Sequence, residues 1–551
     1  MMLLLLILSL LLRLLSSLST SSLLIKLSST SLSSTSLLSS TSTSTSTSTS
    51  TSTSNDEHQW ITLLAEFRGG KAKFRVDEFK DSLLYVLKSN NYDTSTLIEH
   101  IDNNINSIVK DVETNGTIPL CAYVKVPSYE IASQLTLRCT LLRSISEIWG
   151  DGVTLEEVNQ QASNNFDTLI APHFPHGRGQ DIQEHHKQLN SWKVAFRRYG
   201  RGSNLDPAGK FQLLENFAPL LRSLNGKVDL HNPSHELLYL EDWYDYHEKK
   251  GKMKPKQHDD DTQDNANEYV PQRLFLGRII QNGPKLMTTF DLKTRPYLGT
   301  TTMDAISSHV SAVAAMIGNG DRVLDPFCGT CSLLLACAYL GADVVGSDID
   351  LDCLGLPYTD RPSLNYLNDP CVNSTELSKR SKNSNFKRNK GLSQEGLAPI
   401  DNFNYYGLRQ HLKNLYGMDA KLWDIDDDTD CLPDIQDGLK SYKEFDAIVT
   451  DPPFGRREKA MGVSKVSPMG HNDETITTLF NIASRRIKAG GRLVFWLPTE
   501  AFWTEDNVVN LLESLLSKAS SNAQKRLKRI RVREDMLHDR LWRWLCVYEV
   551  I

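Results

Sequence analysis

Apolar and polar positions follow two rhythms along this chain, and the rhythm changes near residue 270. Residues 60–67 read as a strand, and Asp77 to Ser89 places Phe79, Leu83, Leu84 and Leu87 on one helical face. Ala122 to Val126 is a second strand, stopped by Pro127, and the spacing from Tyr129 to Trp149 predicts an amphipathic helix ended by Gly150. A second unit follows: Ser191 to Tyr199 alternates like a half-buried strand, Lys210 to Leu224 reads as a helix, and Lys227 to Leu240 as a hairpin turning at Asn232-Pro233. Beyond residue 270 strands and helices alternate. Strands are expected at Arg322–Leu324, Asp343–Gly346, Phe445–Thr450 and Arg492–Leu497. Helices are expected at Thr302–Ile317, Ser332–Leu340 and Thr475–Lys488. Such alternation implies a mainly parallel sheet covered on both faces. Ile530–Arg533 and Trp544–Val550 read as a closing antiparallel hairpin.

These rhythms predict an α/β architecture: a Rossmann-like domain over 271–551, with a surface insertion at 352–400, preceded by α+β sequence. The earlier part divides into 56–165 and 166–247, and the charged stretch 248–270 is a linker. Residues 1–55 stand apart, being rich in Leu, Ser and Thr, with no acid before Asp56 and only Arg13 and Lys26 as charges. Secretory signal, organellar transit peptide and low-complexity tail all remain open for them. No stretch is a convincing membrane span. The 551 residues are 40% hydrophobic with a net charge of −6, so a uniformly basic nucleic-acid binder is excluded, although a local basic face is not. Nine cysteines show no disulfide-framework spacing. Cys328-x-x-Cys331 has no second close pair to complete a zinc site, so no metal is expected.

Two strand ends carry the candidate chemistry. Arg322 to Asp325 runs into a turn containing Phe327, Gly329 and Thr330, and the next strand ends at Asp348. In an open parallel sheet ligands bind beyond such carboxyl ends. Asp348 suits a ribose diol, although a helix cap or a solvated strand-end acid would also account for Asp325 and Asp348. The stronger signal is the strand Phe445–Thr450, which ends in Asp451-Pro452-Pro453-Phe454. Two prolines stiffen this loop. It offers a carboxylate, a carbonyl and an aromatic face, which are the groups needed to hold a flipped base by its exocyclic amine. A proline-stiffened turn without chemistry is the alternative.

At these residues the chain resembles the tRNA (guanine(10)-N2)-methyltransferase catalytic subunits of the Trm eleven class. Gly299 to Asp304, Asp325 to Ser332, Gly346 to Asp350 and Asp451 to Gly455 are similar to that family's motifs. Val228-Asp229-Leu230, Asn232-Pro233 and Leu240-Glu241-Asp242 are similar to its THUMP-like RNA-binding region. The resemblance implies S-adenosyl-L-methionine (AdoMet) as methyl donor, tRNA as substrate and a small zinc-binding activator subunit as partner. It implies cofactor contacts from Thr301, Asp325, Phe327, Gly329, Thr330 and Asp348, and catalysis by the loop 451–454. Asp424, after the apolar pair Leu422-Trp423, reads as a third strand-end acid able to contact the adenine amine, with Asp426, Asp427 and Asp428 beside it. Cys331 departs from the family, which has glycine there.

Lys193, Arg197, Arg198 and Arg201, around Tyr199, are expected to contact tRNA phosphates, and a second basic cluster spans Lys525 to Arg533. An ordinary solvated face is the alternative for each. The competing functions are another nucleic-acid amino-methyltransferase, acting on adenine N6, and an inactive RNA-binding homologue. The expected compartment is the cytoplasm, or an organelle if the tail is a transit peptide.

Overall fold

The computed structural model describes residues 60–94, 120–174, 190–200, 205–243, 273–299, 302–355, 397–424, 444–453, 473–538 and 541–551. The tail, the linker and most of the expected insertion lie outside the described residues. The rest belongs to one compact unit, His58–Ile551.

The first sheet contains β1 (Ile61–Phe67), β2 (Cys121–Val126), β3 (Leu142–Gly152), β4 (Ser191–Tyr199), β5 (Lys227–Val228), β6 (His235–Asp242) and β7 (Arg273–Asn282), in the order β2-β1-β3-β7-β6-β4-β5. Helices α1 (Arg75–Ser89), α2 (Tyr129–Arg138), α3 (Leu155–Asn164) and α4 (Pro207–Asn216) accompany it. The two units expected at 56–165 and 166–247 therefore share one sheet. β7, assigned by its position in the chain to the second domain, joins them as a central strand, antiparallel to both β3 and β6.

Three local expectations change. The helix predicted over Tyr129–Trp149 ends at Arg138, and 142–152 is strand β3. The carboxylate of buried Glu78, on α1, accepts the backbone N–H groups of Thr140 and Leu141 at 2.8 Å and fixes the turn between them. An apolar run that is buried on both sides carries no clear period, so spacing alone could not separate helix from strand. The predicted hairpin Lys227–Leu240 is absent, because β4 lies between β5 and β6 and pairs parallel with both. The helix predicted over Lys210–Leu224 breaks at Phe217, two residues before Pro219, whose ring and missing N–H do not fit a helix interior.

The second sheet contains β8 (Arg322–Asp325), β9 (Asp343–Asp348), β10 (Leu412–Gly417), β11 (Phe445–Thr450), β12 (Ile487–Glu500), β13 (Leu527–His538) and β14 (Leu541–Val550), in the order β10-β9-β8-β11-β12-β14-β13. Strands β10 to β12 of that order run parallel, and the expected antiparallel hairpin closes the edge, with β14 against β12. Helices α5 (Ala305–Ala314), α6 (Ser332–Tyr339), α7 (Asp473–Arg486) and α8 (Glu505–Lys518) lie among these strands in the chain. The central strands are apolar and buried on both faces: Val323, Leu324, Ile448, Val449, Val494 and Phe495 are all inaccessible. Only the polar residues at the strand ends are left to meet a ligand. This is the Rossmann-like arrangement expected from the alternation, and among the described residues no helix is long and apolar enough to cross a membrane.

Candidate active site

β8 is flanked by β9 and β11, so Asp325, Asp348 and Asp451 end three adjacent parallel strands. Asp325 is buried, and its Oδ1 accepts the Thr450 hydroxyl at 2.6 Å and the Phe327 N–H at 3.0 Å. Burial pushes its carboxyl up to about 8 despite those bonds, with the charges of Asp348 and Asp451 adding to the shift. The three acids are thus within electrostatic reach of one another. The bond from Thr450 ties the last residue of β11 to the last residue of β8.

The turn after β8 is organised by Asp348. Its two carboxylate oxygens accept the Gly329 N–H at 2.8 Å and the Asp350 N–H at 2.9 Å. Gly329 has φ +48, and a Cβ added there would meet no atom within 4 Å, so the turn offers bare backbone to open space. Thr330 is buried, and its hydroxyl donates to Thr302 at 3.2 Å. Arg295, also buried, donates to the Ser332 hydroxyl at 2.8 Å where α6 begins. Cys331 occupies left-handed backbone at φ 61. Cys328 and Cys331 are both buried, and burial raises the Cys328 thiol well above its ordinary value, so Cys328 packs the turn as a neutral thiol. Among the described residues there is no cluster of metal-ligating side chains.

At the corner after β11 Asp451 is partly exposed, Pro452 buried and Pro453 partly exposed. Phe454 and Thr301 lie outside the described residues. Three acids around an open backbone turn suit a cationic ligand that carries a diol, which is the chemistry of AdoMet.

The comparisons with known proteins agree with this geometry. Residues 103–285 match the Tmrp11 THUMP N-terminal domain, and residues 293–503 match the RMKL-like methyltransferase domain. The chain is 27% identical over 445 residues to tRNA (guanine(10)-N(2))-methyltransferase TRMT11 of Homo sapiens, covering 75% of this chain and 80% of that protein. It is 27% identical over 398 residues to the tRNA (guanine(10)-N(2))-methyltransferase of Saccharomyces cerevisiae, covering 71% and 78%. Both halves of the chain are thus similar to this methyltransferase family. Among solved structures, TrmN from Thermus thermophilus is 14% identical, covering 89% of this chain and 99% of that one, with a TM-score of 0.36, too loose a superposition to carry an argument.

Several expected residues have partners elsewhere in the fold. Asp424 ends a short 3₁₀ turn and is held by Arg485 at 2.9 Å and by the Asn481 side chain at 3.3 Å, both on α7. The acid next to the end of β10 is Asp419. The N–H of its neighbour Met418 donates to the Asp348 carbonyl at 3.0 Å, and Asp419 itself is exposed. Spacing favoured Asp424 only because that acid follows an apolar pair, and β10 carried too little alternation to be recognised as a strand.

The expected phosphate-binding face is also redistributed. The Arg197 side chain is 9% exposed, forms an ion pair with buried Glu66 and donates to Ser144 at 2.7 Å. Arg198 is 13% exposed and donates to Glu241 at 2.6 Å. Both guanidiniums are occupied inside the sheet, which leaves them poorly placed for phosphates. Lys193 pairs with Glu236 at 3.4 Å, and Arg201 lies outside the described residues.

Proposed function

We propose that this protein is an AdoMet-dependent tRNA methyltransferase that forms N2-methylguanosine at position 10, acting directly on the flipped guanine amine. The observation that carries the reading is the placement of Asp451 at the end of β11, beside the Asp325–Asp348 turn, in a chain whose curated relatives bear that name. When bound, AdoMet supplies an electrophilic sulfonium methyl. Asp348 would hold its ribose diol, Asp325 its cationic end, and Asp419 rather than Asp424 its adenine.

The chain's own residues do the rest. The amine of guanine is a poor nucleophile because its lone pair is delocalised into the ring. Hydrogen bonds from its two protons to the Asp451 carboxylate and the Pro452 carbonyl favour a pyramidal nitrogen and fix its direction of attack. Pro452 and Pro453 keep those acceptors rigid, and Phe454 would stack on the base. One amine proton would depart toward Asp451 as the N–C bond forms and the donor's S–CH3 bond breaks, its electron pair staying on the departing thioether sulfur. A strong base is unnecessary, because the methylated amine is acidic before that loss.

We also propose a small zinc-binding activator subunit as partner and the cytoplasm as the compartment, an organelle replacing it if residues 1–54 are a transit peptide. The test uses the purified protein with and without that subunit, labelled AdoMet, and tRNA beside DNA, followed by nuclease digestion to identify the methylated base. Asp451→Ala should lower the rate by about 10²–10³-fold. Methylated adenine as the product, or full activity in that variant, would overturn the proposal.

A further inference from the structure

Phe502 is the most exposed large apolar residue of those described, at 81%, and it holds a left-handed backbone with φ 71. For a bulky aromatic residue that conformation is an outlier. Its neighbours explain how it is maintained. Trp503 is half-buried against the core of the second sheet. Thr504 caps α8, its hydroxyl accepting the Asn507 N–H at 3.3 Å. With one neighbour anchored inward and the next committed to a helix start, Phe502 turns outward.

It does not stand alone. Its ring lies 5.5 Å from that of Trp542, at an interplanar angle of 52°. Trp542 pairs with Thr499 on one side and Met536 on the other, and Met536 is 60% exposed. The indole Nε1 of Trp542 has no hydrogen-bond partner among the described residues. Phe502, Trp542 and Met536 therefore form a continuous apolar rim on the far ends of β12, β14 and β13.

That rim belongs to the catalytic edge. β11 and β12 run parallel, with Thr450 opposite Phe495, but β12 continues to Glu500. Those five further residues extend roughly 16 Å beyond the register of the catalytic corner, on the same side of the sheet. The rim therefore lies at the same end of the sheet as Asp451.

We propose that Phe502, supported by Trp542, is a stacking platform for an unpaired base of the tRNA near the target nucleotide. The target base itself is held at the 451–453 corner. The proposal rests on the tRNA methyltransferase reading. An open aromatic face suits a nucleobase, since every base has a π-face and stacking tolerates sequence. Among the described residues, Arg543 and Lys71 both pair with Asp535. The described part of the rim offers rings. Holding a ring outward in strained backbone is consistent with a binding role, where such conformations concentrate.

The experiment compares the wild-type protein with Phe502→Gly, Phe502→Leu and Phe502→Trp, measuring tRNA binding, KM and kcat, AdoMet affinity and thermal midpoint. Glycine accepts the left-handed backbone freely, so Phe502→Gly should raise the thermal midpoint while weakening tRNA binding about tenfold or more. Phe502→Leu should also lose binding, Phe502→Trp should keep it, and AdoMet affinity and kcat should not change. Unchanged tRNA binding in Phe502→Gly and Phe502→Leu, with wild-type methylation intact, would overturn the platform and leave the enzyme reading standing. If those variants instead changed oligomeric state or capture of the activator subunit at unchanged tRNA affinity, the rim would be a protein interface and the proposal would fail. Absence of guanine methylation in the wild type would overturn the enzyme reading itself.

Discussion

At the scale of single residues, the cofactor turn combines one conformational cost with one electrostatic cost. Cys331 sits at φ 61, where a Cβ costs about 1–2 kcal/mol. Replacing it with glycine should raise stability by about 1 kcal/mol in urea denaturation, the lost packing of the small Sγ offsetting part of the relief. A loss of stability would show that the thiol's packing outweighs the strain. Asp325 carries the second cost. Burial raises its carboxyl to about 8, so between about pH 4 and pH 8 the folded state keeps a proton that the unfolded chain has released. Stability therefore declines as pH climbs through that window and levels off above it. The thermal midpoint of Asp325→Asn, which has no proton to lose, should be flatter across the window. A bound sulfonium favours the ionised carboxylate, so AdoMet binding near pH 7 should release protons. Calorimetry in buffers of different ionisation enthalpy reads that release, and zero release would contradict the assigned pairing. The strand-end acids were legible from sequence because a carboxylate after an apolar run is a local signal. Thr450, whose hydroxyl joins two strands, gave none: its partner Asp325 lies 125 residues earlier.

At the scale of elements, helix α1 shows how a basic cluster is misread when its acids are distant. Arg531 and Arg533, on β13, looked in sequence like part of an RNA-binding run. In the structure Arg531 pairs with Asp81 of α1, joined by Arg492 of β12 at 3.0 Å, and Arg533 pairs with Asp77. Lys71 and Lys73, just before α1, pair in turn with Asp535 and Glu534. Asp81 has a 2% exposed side chain, and its removal would strand two arginines in a nearly dry interface. Asp81→Ala should therefore cost about 3–5 kcal/mol, read from urea denaturation. A loss below about 1 kcal/mol would show that packing, not this carboxylate, holds α1 in place. Elements with strict periods, such as α1, β4 and β11, matched their sequence reading within two residues. The ones that did not match, 129–149, 210–224 and 227–240, depend on a proline or on which strand lies beside them.

At the scale of the whole molecule, the two sheets are tied through a shared core. Phe74 and Leu141, from the first part of the chain, pack in the same apolar cluster as Val494 and Trp496, with the Phe74 and Trp496 rings 6.0 Å apart. Arg138 donates to the Ile317 carbonyl at 2.7 Å. Nearby, Gly318 gives α1 its close approach: a Cβ there would fall 1.5 Å from the Tyr85 hydroxyl. Such packing fixes the first sheet against the second. Much of the basic sequence among the described residues pairs with buried acids.

Period, turn chemistry and strand-end residues are properties of a few consecutive positions. The sequence by itself therefore determined the alternating α/β half, the turn after β8, the Asp-Pro-Pro corner and the closing hairpin. Charge pairing and strand neighbourhood are decided by residues hundreds of positions apart. Only the tertiary structure decided that β7 completes the first sheet, that Arg197 and Arg198 face Glu66 and Glu241, that Asp419 follows the end of β10 while Asp424 pairs with Arg485, and that Phe502 is exposed beyond the end of β12.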